Sequence, residues 1–187
     1  MGFFDIFKKK KKVEEQKVQS DIEFITIGDF GKFAKNKIET NNIAKEKVLF
    51  WENLIQTNGQ YIVNYFMSMP LRHHAIEEWW DDWCFSEKEK SLGKLQIAQL
   101  RNEREKQLLS EIDLYLDKQN PIDIKELYKK YLPYFDYDSF MKSVKIEYVS
   151  FDDNYFSIQL SDKKMEFFCS AYESFDKDLN GTDWHNF

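Results

Sequence analysis

The chain has 187 residues, 42% of them hydrophobic and 17% aromatic, enough for the core of one domain or two small ones. Six glycines and three prolines argue against glycine-rich phosphate loops, and two cysteines, Cys84 and Cys169, both in apolar surroundings, fit reduced structural thiols. The net charge of −6 is uneven: Asp5 against Lys8, Lys9, Lys10, Lys11 and Lys12 gives residues 1–12 a net +4, leaving −10 for the rest, which disfavours broad nucleic-acid contact and favours a basic partner.

Residues 1–20 read as a disordered, basic lead-in. Phe3, Phe4, Ile6 and Phe7 beside the lysines give residues 3–12 the chemistry for weak contact with an anionic membrane surface. The apolar run is too short for a signal peptide and its charge follows it, and no stretch reaches spanning length. Gly2 would suit myristoylation, but position 6 is Ile6, not Ser or Thr. The expected compartment is the cytoplasm.

Residues 21–85 read as a helical region with one short strand, "IEFITI" at 22–27. Gly28 and Gly31 form a GxxG that resembles the backbone clamp of KH domains, but its inner residues, Asp29 and Phe30, offer no positive charge. An ordinary strand-to-helix turn is expected there. Ala44, Val48, Trp51 and Ile55 recur at helical spacing up to Asn58-Gly59. Residues 61–69 are nearly all apolar, a buried helix or strand that Pro70 should end. A helix is expected over 71–85.

Residues 86–175 read as a long helix over 86–120, weakened at Gly93, then two short helices and a meander. The turn "RNEREKQ" (101–107) has no apolar residue and should be solvated. Asn120-Pro121 looks like a helix start, with Ile124, Leu127, Tyr128 and Tyr131 as its buried face. Asp136 should cap a helix containing Phe140, Met141 and Val144. Three alternating strands follow: Val144/Ile146/Tyr148, Phe156/Ile158/Leu160 and Met165/Phe167/Cys169/Ala171. Residues 176–187 read as an acidic polar tail. The expected fold class is α+β: a predominantly helical body followed by a C-terminal three-stranded antiparallel β-meander.

The densest chemistry is "HHAIEEWWDDWC", residues 73–84. On a helix, Ala75, Ile76, Trp79, Trp80 and Trp83 share one side. His73, His74, Glu77, Glu78, Asp81 and Asp82 share the other. Glu77–Asp81 and Glu78–Asp82 are like-charge pairs, each costing about 0.2–0.5 kcal/mol. Asp81 and Asp82 would also meet the unfavourable end of the helix dipole. No Lys or Arg between His73 and Glu87 relieves them, so a cation must come from elsewhere in the fold, from a metal or from a partner. His73 and Glu77 are weak metal candidates, because one helical stripe supplies only two ligands, and His73 lies about 12 Å along the axis from Asp81.

"DKDLNG" (176–181) matches the first half of a calcium loop through Asp176, Asp178 and Asn180, but its twelfth position is Phe187. The element order over 104–161 resembles a winged helix-turn-helix. Its would-be recognition helix carries Asp136, Asp138, Lys142 and Lys145, which sum to zero, and its wing tip carries Asp152 and Asp153, which repel phosphate. No GxSxG, P-loop, HExxH or CxxC occurs, so neither a reaction nor a cofactor is indicated. The expectation is a non-catalytic protein-binding module. Its acidic face, made by His73, His74, Glu77, Glu78, Asp81 and Asp82 with Trp80 or Trp83 as apolar anchor, would dock a basic protein. The alternatives are a winged-helix-like nucleic-acid-binding regulator and a metal-dependent enzyme using His73 and Glu77. In acidic composition, not in motif, the chain resembles small bacterial immunity proteins that plug a basic toxin.

Overall fold

The computed structural model describes residues 22–40, 42–74, 81–163 and 170–186. The lead-in with its lysine run, the stretch holding Glu77, Glu78, Trp79 and Trp80, and the stretch holding Met165, Phe167 and Cys169 lie outside the described residues, as do the side chains of His73 and His74. The fold is α+β.

The β-branched run does form a strand, β1 (Phe24–Thr26), but it pairs with β2 (Lys32–Ala34) as a separate antiparallel hairpin. The GxxG stretch is therefore a strand-to-strand loop, with a 3-10 turn at Gly28–Phe30, and not an entry into a helix. A third short strand, β3 (Glu39–Thr40), precedes α1 (Lys45–Thr57) and α2 (Gly59–His74). Gly28 has φ 46°, and a Cβ on it would lie 2.6 Å from the Gly59 carbonyl oxygen. Two glycines thus let the hairpin loop touch the junction between the helices.

Pro70 does not end α2; it lies inside it. Proline has no N–H to give the Phe66 carbonyl four residues back; nearby, the Ser68 hydroxyl donates to Tyr65 O (2.8 Å) and the Tyr128 hydroxyl to Met67 O (2.8 Å), which ties this turn into the core. Phe66, Met67 and Leu71 are fully buried, and this packing offsets a proline penalty of about 3 kcal/mol.

Of the helix expected over 71–85, the described residues carry two helical pieces, α2 as far as His74 and α3 (Asp81–Cys84) before Phe85; residues 75–80 lie outside them. The long helix expected over 86–120 is likewise three pieces: α4 (Glu87–Lys90), α5 (Lys94–Glu111) and a 3-10 turn, Ile112–Leu116. Ser86 and Glu89 form a reciprocal capping box that starts α4, and Gly93 resets the chain before α5. Asn120-Pro121 opens no helix; α6 begins later (Lys125–Tyr131). The cause is Asn64, a fully buried amide of α2. It donates to Tyr115 O and Ile122 O (2.6 Å each) and accepts from the Ile124 amide (3.2 Å), which holds the backbone before α6 in a non-helical path. Ile124, Leu127, Tyr128 and Tyr131 are buried, as their spacing predicts. Asp136 caps α7 (Tyr137–Ser143) by accepting from the Ser139 amide at 3.0 Å.

β4 (Val144–Phe151), β5 (Tyr155–Asp162) and β6 (Ser170–Asp176) pair as an antiparallel meander. The sheet is larger than expected and mixed. β3 adds parallel to β4, and β7 (His185–Asn186) adds antiparallel to β6, giving the order β3-β4-β5-β6-β7. A bulge between Ile146 and Tyr148 swaps the faces of β4, so Val149 and Phe151 point into the core. The alternation expected for Val144, Ile146 and Tyr148 therefore fails at Tyr148, whose hydroxyl reaches Glu39. The polar tail is part of the fold as well. Leu179 is buried, and the amides of Thr182 and Asp183 donate to the fully buried Glu173 carboxylate (2.9 and 2.8 Å). One hydrophobic core runs from Ile25 to Leu179.

Candidate functional site

Where the structure describes the acidic tryptophan stretch, its charges are met from within the fold. Arg101 of α5 grips Asp81 with two bonds (Nε 3.0 Å, Nη2 2.5 Å). Lys90 reaches Asp82 at 3.0 Å. Arg104 pairs with Glu89 at 2.6 Å, donates to the Cys84 carbonyl and lies over the Phe85 ring. The turn expected to be solvated thus supplies two of these cations, because Arg101 and Arg104 point inward. Asp81 and Asp82 also sit in the first turn of α3, the end where the dipole favours carboxylates. Trp83 packs against Phe135 with ring centroids 4.8 Å apart and the planes tilted by 58°. Burial pushes the Cys84 thiol up to about 12, with Arg104 opposing, so it is a resting packing group. The cavity beside it, about 10 Å³, has room for a single water.

The calcium-like turn is closed on itself. The Asp176 carboxylate accepts from the amides of Asp178 and Asn180 (2.8 Å each) and from the Asn180 side chain (2.9 Å). Lys118 brings its ammonium to Asn180 Oδ1 (2.9 Å) and the Asp178 carbonyl, where a metal ion would compete with it. His185 pairs with Asp183 at 2.8 Å. Among the described residues no three His, Cys, Asp or Glu side chains are grouped to hold a metal ion. The would-be wing turn is tied down: Trp51 Nε1 donates to the Asp152 carbonyl at 2.8 Å.

The residues that converge on open space lie elsewhere. Asp29 of the hairpin loop, Asp123 and Lys125 at the start of α6, and Tyr137, Asp138, Met141 and Lys142 of α7 line an open cleft of about 550 Å³, within the size range of ligand sites. Asn64 positions the α6 side through Ile122 and Ile124; the Asp136 cap positions the α7 side. Lys125 is neutralised by Asp138 at 2.5 Å, and its amide donates to Asp123 Oδ1 at 2.9 Å. Tyr137 is 5% exposed, and its buried hydroxyl has no hydrogen-bond partner. Burial and then the carboxylates of Asp123, Asp29 and Asp138 raise its pKa well above the phenolic range, so it stays protonated. The other such hydroxyl among the described residues, Tyr131, has Glu111 and Lys130 beside it.

Sequence reasoning passed over this constellation because its members stand far apart in the chain. In the sequence Asp29 offers only a poor phosphate ligand, and nothing marks Tyr137. The described residues define an α+β fold with an acidic cleft at the meeting of a hairpin loop and two helices. No protein-family model, curated protein or solved structure matches the chain. No helix among the described residues is long and apolar enough to cross a membrane.

Proposed function

We propose that this chain is a binding protein, non-catalytic, whose acidic surface docks a basic protein partner in the manner of an immunity protein, antitoxin or adaptor. The observation that carries the reading is the cleft, where Asp29, Asp123 and Asp138 outnumber Lys125 and Lys142. The body's charge of −10 outside residues 1–12 would steer such a partner toward it. Asp81 is engaged by Arg101 and Trp83 by Phe135, which favours the cleft as the docking face; His73, His74, Glu77, Glu78 and Trp80 of the tryptophan stretch have side chains outside the described residues, and the exposed Asp82 would be a rim contact.

The test is native purification from the source cells at low salt. A stoichiometric basic protein, released by added salt and lost from Asp29→Lys/Asp123→Lys, supports the reading. Capture of the same protein by that variant, with loss instead from Glu78→Lys/Asp82→Lys, would return the docking face to residues 73–82. No salt-sensitive partner at all would overturn it.

A further inference from the structure

The helices cover one face of the five-stranded sheet: Trp51 of α1 packs on Phe156, and Tyr65 and Phe66 of α2 pack on Phe175. On the opposite face the register lines up Tyr148, Gln159, Tyr172 and His185 in one row across β4, β5, β6 and β7. Among the described residues, the side-chain hydrogen bonds and ring contacts of Tyr148, Gln159 and Tyr172 all go to the sheet's own strands. We propose that this face is a platform for an extended, uncharged β-1,4-linked glycan. Tyr148 and Tyr172 are its stacking surfaces, and Gln159 is the hydrogen-bonding group between them. The platform shares no residue with the acidic cleft and goes beyond the docking reading.

Three observations carry it. The first is that both tyrosines lie flat. The Tyr172 hydroxyl accepts from Ser174 Oγ at 3.1 Å, two residues along its own strand. The Tyr148 hydroxyl donates to Glu39 at 3.1 Å, and the register partner of Glu39 is Ser150, again two residues on. A ring standing off the sheet reaches neither, because two residues of strand span roughly 6.6 Å. The serines beneath show the result. Ser150, Ser157 and Ser174 form the next row and are 8%, 0% and 4% exposed on a face that no helix contact covers among the described residues. β4 and β6 both run antiparallel to β5, so the two rings lean the same way. Their faces lie roughly 10 Å apart, two strand spacings, which is close to the disaccharide repeat of a β-1,4-linked chain. His185 continues the surface, its ring tilted 31° to that of Tyr172 with centroids 6.3 Å apart.

The second observation is that Gln159 leans the other way, donating Nε2 to Ser170 at 2.8 Å. Its carbonyl oxygen accepts from no described residue and is open to a sugar hydroxyl. The third is charge. The carboxylates that touch the row, Glu39 on Tyr148 and Asp183 on His185, would repel the phosphates of a stacked nucleic-acid strand but not a neutral sugar. Open strand faces of other folds hold oligosaccharides in this way.

The probes are cellohexaose and chitohexaose, titrated into the full-length protein and followed by amide chemical shifts. The expected result with at least one of them is shifts confined to residues around 148, 159, 172 and 185. Tyr172→Ala should weaken that binding about ten-fold, whereas Tyr172→Phe, which keeps the ring, should retain most of it. Gln159→Ala leaves both rings in place and should weaken binding about five-fold, so it decides the matter even where a tyrosine variant fails to fold. No shift in this row with either hexasaccharide at millimolar concentration would overturn the assignment, and so would wild-type affinity in Tyr172→Ala and Gln159→Ala. A response to oligothymidylate and to neither glycan would overturn it as well, making the face a nucleic-acid platform. Asp29→Lys/Asp123→Lys should bind the glycan as wild type does, so this result is separate from capture of a basic partner.

Discussion

Asn64 stands in a run of otherwise apolar residues and decides how the next third of the chain is laid. Its amide is fully buried and meets Tyr115, Ile122 and Ile124 as well as Gln60. Replacing it with alanine strands two carbonyls and an amide in the interior. Asn64→Ala should cost about 3 kcal/mol or more, read as a lower urea midpoint at unchanged slope. The same change should disorder the α6 side of the cleft, seen in the amide shifts of Asp123 and Lys125. Gly59 is constrained by contact instead of polarity. A Cβ there would stand 2.5 Å from the Gly28 backbone nitrogen, and backbone cannot rotate aside. Gly59→Ala should destabilise by about 1–3 kcal/mol even though alanine is the better helix former. A stability equal to or above wild type in thermal unfolding would show that the hairpin does not rest on the helix junction.

At the level of elements, the α3–α4–α5 corner is held by charge. Glu89 accepts from the amide and hydroxyl of Ser86 (2.8 and 2.7 Å) and pairs with Arg104. These bonds from Ser86 first, and then Arg104, hold its carboxyl below the ordinary value of 4.5. A depressed folded pKa stabilises the protein fully above the unfolded value. That contribution disappears as pH falls through the folded value. The melting-temperature gap between wild type and Glu89→Gln should therefore be widest near about pH 6 and close by about pH 2.5. A gap that persists into acid would mean that shape, not charge, makes the cap. The corner also shows why a helix predicted as one piece forms as several. Capping at Ser86 and a reset at Gly93 are local signals, but the turn over 101–107 faces inward only because Asp81 and Glu89 lie opposite it.

Across the whole molecule, the last residues close the sheet. Glu173 is fully buried on the core face of β6, opposite Ile158, and accepts from Tyr65 (2.9 Å), Thr182 and Asp183. Gly181 lies so close to the Tyr65 hydroxyl that a Cβ there would collide with it. Deleting residues 177–187 would leave a buried carboxylate with fewer donors and uncover Phe175. The truncated chain should lose about 3 kcal/mol or more of stability, or fail to fold, by denaturant titration. Glu173→Gln within that deletion should recover part of the loss, because the uncompensated charge is gone.

Period and punctuation in the chain were sufficient for the local pieces: the helices at 45–57 and 125–131, the Asp136 cap, and the paired strands at 144–162, because side-chain spacing and capping chemistry act over a few residues. They were insufficient wherever distant groups meet. Pro70 inside a helix depends on the burial of Phe66, Met67 and Leu71 against distant elements. The register of Tyr148 depends on a bulge. The calm of Asp81 depends on Arg101, and the cleft depends on Asp29, Asp123 and Tyr137 arriving from three separate elements. Local free energies are written in neighbouring residues. Charge pairing and burial are written in the folded distances between remote ones, and only the tertiary structure supplies those.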